Sequence, residues 1–256
     1  MIPKIIHFCW LSTDEYPKLI KKCIESWKVK LPDYEFILWD TNRFNVETTI
    51  WTQQAYKSKK YAFVSDYIRL LAVYKYGGIY LDTDVEVLKN FDDLLNLPYF
   101  IGSQYDSLIE AAVFGAKKNS DWVLDCINYY DNRRFIKQDG DFDMLVLPII
   151  MQSQIERNKK IIQLKFNEVK NISNLVENKN SFFLYPSEYF SPKNHQTGKI
   201  FRSKKTYTIH HYNNAWMSFL SIQRLKLIHL IGLGKTEKII DILKIRRLIA
   251  IFKRDK

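Results

Sequence analysis

Residues 4–10 (KIIHFCW) form a short apolar run rich in isoleucine and aromatics, which predicts a buried strand. After Pro17, apolar Leu19, Ile20, Cys23, Ile24 and Trp27 recur with a period near 3.6, which predicts a helix. Proline suits its start, because the missing N–H would be unpaired there. Leu31-Pro32-Asp33 breaks that pattern, and 34–39 predicts a second strand. A longer helix is expected over 61–76, with Phe63, Val64, Tyr67, Leu70, Leu71 and Tyr74 on one broad stripe. Gly77-Gly78 ends it, as expected where the chain needs a left-handed cap. Residues 79–81 then predict a third strand, which runs into the turn Asp82-Thr83-Asp84.

Strands alternating with helices imply right-handed crossovers and a mainly parallel sheet, an α/β fold. Ligands bind such sheets at the carboxyl ends of the strands, where Trp10 and Asp82 both fall. Further along, 99–103 and 111–115 predict strands, 121–130 a helix and 207–211 a late strand. The pattern leaves the order of elements within 98–190 open. From 218 onward, leucine and isoleucine mix with lysine and arginine, and Gly232 and Gly234 divide the segment into two basic amphipathic helices. The expected organisation is a domain over 1–216 and a helical tail over 217–256.

Charge sharpens that division. Residues 199–256 hold fourteen Lys and Arg against three acids, an excess equal to the whole formal net charge of +11. The first 198 residues are therefore formally neutral, and the basic character describes the tail's partner. An anionic membrane surface is one such partner; a solvated basic face on a tail packed against the core is the other reading. No nucleic-acid motif accompanies the charge, so no nucleic-acid partner is expected. Cys9, Cys23 and Cys126 are odd in number and widely spaced, with no CxxC pair or zinc pattern. The first residues lack the layout of a signal peptide, and no window has the length and apolarity of a membrane span. The expectation is a reduced, cytoplasmic protein, peripheral on the inner face of the cytoplasmic membrane if the tail binds lipid.

The candidate chemistry centres on Asp82 and Asp84. Hard cations take oxygen ligands, and carboxylates two apart in a turn after a rigid strand offer two. A divalent cation held there can neutralise a departing diphosphate. Alone, such a pair is common in solvated turns; its context is more specific. Residues 65–84 read Ser-Asp-Tyr-Ile-Arg-Leu-Leu-Ala-Val-Tyr-Lys-Tyr-Gly-Gly-Ile-Tyr-Leu-Asp-Thr-Asp. This resembles, throughout its length, the S-D-x-x-R-x-x-x-L-x-x-x-G-G-x-Y-x-D-x-D hallmark of the DxD-containing glycosyltransferases of family 32. That family includes capsule, lipopolysaccharide and Och-type sugar transferases and is related to the clostridial glucosylating toxins. The likeness extends to residues 2–10 and to 209–216 (IHHYNNAW).

The resemblance implies a GT-A-type, Rossmann-like fold and a nucleotide-sugar donor. The donor-contacting set it implies is Phe8, Trp10, Asp66, Arg69, Tyr80, Asp82, Asn214 and Trp216. Trp10 would flank the base. Asp66 and Arg69, three apart on one helix face, would reach the sugar and diphosphate. Tyr80 would approach the ribose or phosphates, or serve as core. The implied cation is Mn2+ or Mg2+, held by Asp82, Asp84 and a histidine. Of His210 and His211 only one can face the site if both lie in a strand. The family's spacing to its site tryptophan favours His211. Asn214 would add a carbonyl ligand or a phosphate donor, and Ala215 stands where many relatives carry serine. Asp66, Arg69 and Glu110 form the implied catalytic set, with Glu110 either touching the donor sugar or lying as a surface acid. Asp106, Asp141 and Asp143 are further acids that read as loop residues. The expected activity is retaining transfer of a hexose, from a UDP-sugar by preference, to a glycan or lipid-linked glycan in capsule, lipopolysaccharide or other surface polysaccharide synthesis. The alternatives are a metal-dependent phosphate-ester hydrolase, which would call for further clustered acids or histidines early in the chain, and a basic nucleic-acid-binding protein.

Overall fold

The computed structural model describes residues 1–104, 108–213 and 219–242, with side chains omitted at 219, 220, 239, 241 and 242. In chain order the elements begin with β1 (Ile5–Cys9), α1 (Lys18–Lys30) and β2 (Glu35–Trp39). Next come α2 (Ile50–Lys57), α3 (Tyr61–Tyr76), β3 (Gly78–Leu81) and β4 (Val85–Val87). Then follow β5 (Tyr99–Ser103), β6 (Ile109–Ala116), α4 (Asp121–Asn128) and α5 (Leu147–Glu156). The chain continues through β7 (Lys160–Gln163), α6 (Ile172–Leu175), β8 (Ser181–Leu184), α7 (Ser187–Phe190) and β9 (Thr208–His210). The last described helices are α8 (Phe219–Ile231) and α9 (Leu233–Ile242).

The central sheet has the order β2-β1-β3-β6-β5. β1 pairs in parallel with β2 and β3, while β6 runs antiparallel to β3 and to β5. Four of the five strands thus share one direction, and β6 is reversed. The expected α/β class and mainly parallel sheet are present, in a mixed form: two of the four pairings are antiparallel. The reversed strand follows from the short connection between β5 and β6, too short for a crossover helix.

Alternation along β1 divides the core. Ile6 and Phe8 face one apolar cluster with Trp27, and Cys9 faces the other. His7 lies between them, fully buried, its Nε2 2.9 Å from the Gly77 carbonyl oxygen. Trp39 Nε1–H donates to His7 Nδ1 at 3.2 Å. An indole N–H can only donate, so Nδ1 accepts and Nε2–H is the donor to Gly77. Gly77 has φ 68° and Gly78 φ 103°. A Cβ on Gly78 would sit 2.7 Å from the Ile5 carbonyl oxygen, so only glycine lets β3 enter the sheet beside β1.

Two smaller pairings lie outside the main sheet. β4 pairs antiparallel with β9, setting Val85 against His210 and Glu86 against Ile209. β7 and β8 pair in parallel. The tail differs from the amphipathic expectation in α8. Its apolar residues Ile222, Leu225, Leu227, Ile228, Leu230 and Ile231 are distributed around the axis at 100° per residue instead of gathering on one face. Of these only Ile228 is buried. The expected boundary at 216/217 lies outside the described residues. No described helix is long and apolar enough to cross a membrane.

Candidate donor and cation site

A cleft of about 650 Å³ opens at the carboxyl ends of β1 and β3. Three features bring the chemistry to it. β3 carries Tyr80 and then Asp82, α3 lays Asp66 and Arg69 alongside, and the β4–β9 pair brings the chain back at His210.

Arg69 is buried and fully engaged by the protein. Its Nη1 donates to Asp82 Oδ2 at 3.2 Å and to the Ala111 carbonyl at 2.9 Å. Its Nη2 lies 3.1 Å from both Asp66 Oδ1 and Asp82 Oδ1 and donates to Ser65 Oγ at 3.1 Å. The guanidinium also sits 4.6 Å from the Tyr80 ring centroid. Its donors are taken up within the protein and do not form a free fork aimed at substrate. Arg69 is the brace that ties α3, β3 and β6 together and compensates two carboxylates. Burial raises the Asp66 pKa to about 7, against the pull of Arg69 and with the help of Asp82.

Asp82 accepts Tyr80 Oη–H at 2.9 Å as well as Arg69. Tyr80 itself is buried. Asp84 is placed differently. Its Oδ2 accepts the Asn213 N–H at 2.6 Å, and its Oδ1 is 3.5 Å from His210 Nε2. Burial alone would raise its pKa; the His210 charge and contact and the Asn213 N–H outweigh that and hold it at about 2. Glu110 lies behind His210, wholly buried, 3.5 Å from Nδ1. It accepts the Ala112 N–H at 2.8 Å and the Ser191 hydroxyl. Burial disfavours the charged His210 ring, but Asp84 and Glu110 outweigh it and push the imidazole pKa well up.

Ligand atoms of Asp82, Asp84 and His210 lie within 4.8 Å of one another. Two carboxylates and an imidazole fit a Mn2+-like divalent cation. Nε2 points toward Asp84 while Nδ1 faces Glu110, the arrangement by which a carboxylate orients a ligating histidine.

The histidine expected here was His211; the structure brings His210 instead. β9 alternates its side chains, so neighbours leave on opposite sides. The β4–β9 register then sets His211 beside Glu86, with Nε2 2.8 Å from Oε2 and Lys22 on the same carboxylate. His211 still supports the turn through its backbone, its N–H donating to the Asp84 carbonyl and its carbonyl accepting Lys193 Nζ at 2.6 Å. Phe8 is a second correction. It is buried under the sheet with its ring 5.4 Å from Trp27, because position 8 alternates away from the cleft. Glu110 lines the cleft but is no surface acid. Trp10 does line the cleft, half-buried, with Tyr16 edge-on at 4.8 Å. Asp141 and Asp143 lie away from it, Asp143 paired with Arg133. Asn214, Ala215 and Trp216, and also Asp106, lie outside the described residues.

Other contributors had no role assigned from the sequence. Ser191 reaches Glu110 from the loop after α7. Tyr212 stacks 4.0 Å from the His210 ring and has φ 54°, a left-handed conformation uncommon away from glycine. Its neighbour Asn213 follows in the turn that caps Asp84. Two adjacent histidines followed by Tyr-Asn were the available signal for that turn.

Part of the chain resembles known proteins. The family described as "Glycosyltransferase sugar-binding region containing DXD motif" matches residues 17–101. Inositol phosphoceramide mannosyltransferase 3 of Schizosaccharomyces pombe is 35% identical over 134 residues, covering 49% of this chain and 36% of that protein. Mannosyl phosphorylinositol ceramide synthase CSH1 of Saccharomyces cerevisiae is 26% identical over 199 residues, 74% of this chain and 49% of that one. The chain thus spans between a third and a half of the length of these relatives. Among solved structures, the PaToxG glycosyltransferase aligns with a TM-score of 0.45 at 20% identity, over 69% of this chain and 73% of that one. The segment that matches the DXD-motif family contains the braced Asp66–Arg69–Asp82 cluster and both acids of the DXD turn.

Proposed function

We propose that the chain is a metal-dependent glycosyltransferase that moves a hexose from a nucleotide-sugar to a glycan or lipid-linked glycan. The observation that carries this reading is the convergence of Asp82, Asp84 and His210 at one end of a cleft whose rim bears Trp10. Bound there, Mn2+ or Mg2+ would supply positive charge to a nucleotide diphosphate. Asp84 and His210 would hold the ion, with Asp82 shared between it and Arg69. Arg69 keeps Asp82 and Asp66 fixed at the cleft wall while its own donors stay occupied. Asp66, partly protonated near neutral pH by its burial, can donate a hydrogen bond to a sugar hydroxyl as well as accept one. Trp10 offers its ring to the base. Glu110 faces the imidazole and not open solvent, which fits a role behind His210 better than one as attacking group. Retention is what the resemblance to the family implies; with Glu110 set behind His210, it would proceed by a front-face displacement.

The names of the relatives, inositol phosphoceramide mannosyltransferase among them, support a hexose donor and a lipid-borne acceptor. Capsule, lipopolysaccharide or other surface polysaccharide synthesis is the setting we propose. The domain over 1–216 would act at the cytoplasmic face of a membrane, with the basic tail over 217–256 against anionic lipid. A thermal-shift panel of UDP- and GDP-hexoses, each with and without Mn2+, tests the reading. A Mn2+-dependent stabilisation by one donor supports it. No shift with any nucleotide-sugar would refute it.

A further inference from the structure

Residues 193–205 form a surface element that neither the donor site nor the tail accounts for. The segment folds back on itself: Lys193 bridges to Ile200, Asn194 N–H donates to the Lys199 carbonyl and Phe201 N–H to the Pro192 carbonyl. Beyond this hairpin, 199–205 reads Lys-Ile-Phe-Arg-Ser-Lys-Lys, with four cations and no acid. Its two large apolar residues are turned outward, Ile200 44% and Phe201 48% exposed. Phe166, also exposed, lies under Lys205, whose Nζ is 4.5 Å from the ring centroid.

The end of α8 abuts the same hairpin. His229 Nε2 is 3.1 Å from the His195 carbonyl oxygen, and a Cβ on Gly198 would meet the His229 ring at 3.4 Å. The next residue, Leu230, is 79% exposed, and Leu233 follows beyond the joint. The apolar residues of α8 are mixed with Gln223, Arg224, Lys226 and His229; Ile228 is buried in the protein, while Ile222, Leu225, Leu227 and Ile231 are only half-buried.

The hairpin is also fixed to the cleft. Lys193 Nζ donates to the His211 carbonyl, next to His210, and His195 lines the cleft with its ring 4.9 Å from Tyr212. Exposed apolar residues flanked by lysine and arginine stems suit the headgroup boundary of an anionic bilayer, where the rings enter and the cations meet phosphate. A folded partner protein or nucleic acid would leave that charge pattern without a use for the outward Ile200 and Phe201.

We infer that the 193–205 hairpin, with the adjoining end of α8, is a docking surface for anionic lipid that sets the mouth of the cleft against the membrane. The inference shares the membrane with the preceding reading, but the residues its variants change lie in the hairpin and outside the tail. It predicts that full-length protein sediments with vesicles of phosphatidylcholine and phosphatidylserine and not with phosphatidylcholine alone. The double variant Ile200→Ser/Phe201→Ser should lose about tenfold in vesicle affinity, since two half-exposed apolar side chains no longer enter the interface. Arg202→Glu/Lys204→Glu should lose at least as much at low salt and less at high salt. Both variants should remain folded by circular dichroism. Unchanged vesicle binding in both would overturn the inference and leave any attraction to the tail. Retention on heparin with no vesicle binding would overturn it in favour of a nucleic-acid partner. Vesicle binding is read without any donor, so failure of the transferase reading would leave this result standing.

Discussion

His210 Nε2 lies 3.5 Å from Asp84 Oδ1, and this contact brings the late β9 strand to a candidate cation site whose two acids come from the first third of the chain. Substituting each histidine separates the two candidates. His210→Ala should weaken Mn2+ binding by at least tenfold, because it removes an imidazole donor from a three-residue set. His211→Ala should leave Mn2+ affinity near wild type, since it breaks a contact to Glu86, which does not line the cleft. Titration of free Mn2+ by electron paramagnetic resonance reads both.

Arg69 carries the structural demand of the motif helix. Replacing it by methionine leaves Asp66 and Asp82 buried without their counter-charge, which costs about 3–5 kcal/mol. Denaturant unfolding should show that loss, with donor binding weakened as well. Arg69→Lys keeps the charge but cannot span Asp82, Asp66 and Ala111 at once, and should fall between the two.

His7 gives the fold a predicted acid dependence. Burial lowers its pKa, the Gly77 hydrogen bond opposes that, the Arg43 charge adds to it, and the ring titrates at about 4. In the unfolded chain it titrates near 6.5. Between those values the unfolded state binds a proton that the native state refuses. Stability is therefore full above about pH 6.5 and declines by about 3 kcal/mol as pH falls toward 4. His7→Gln should be less stable at neutral pH and should flatten that slope in urea melts taken from pH 7 to 4. An equally steep slope in the variant would assign the acid loss elsewhere.

Trp10 lines the cleft, and Trp10→Ala should weaken nucleotide binding by about tenfold or more, the scale of one base–aromatic stack. Isothermal titration with the free nucleoside diphosphate measures it. An unchanged affinity would place the base elsewhere in the cleft.

The elements nearest the site were the most legible. β1, α1, β2, α3 and β3 announce themselves through long, consistent periods and through Pro17 and Gly77-Gly78. α2, β4, β7 and β8 are short, and three to eight residues hold too little pattern to tell strand from helix. Phe8 was misplaced although β1 itself was recognised: alternation from the cleft-lining Cys9 turns position 8 the other way. The histidine was misassigned for a different reason. Counting back from Trp216 uses chain distance, whereas the face each histidine takes is fixed by pairing with β4, a three-residue strand with almost no signature of its own. Ser191, Tyr212 and Asn213 come from loops, and only the closed fold brings them to Glu110, His210 and Asp84.

The central claim is that Asp84 holds a cation which the donor requires. Asp84→Asn preserves the side chain's volume and its capacity to accept the Asn213 N–H, so the fold should survive. Calorimetric titration of the wild type and this variant with the donor found in the nucleotide-sugar panel, in the presence of Mn2+, is the most direct test. Mn2+-dependent donor binding is expected in the wild type and its loss in an Asp84→Asn variant that remains folded by circular dichroism. Equal, Mn2+-dependent binding in both proteins would contradict it.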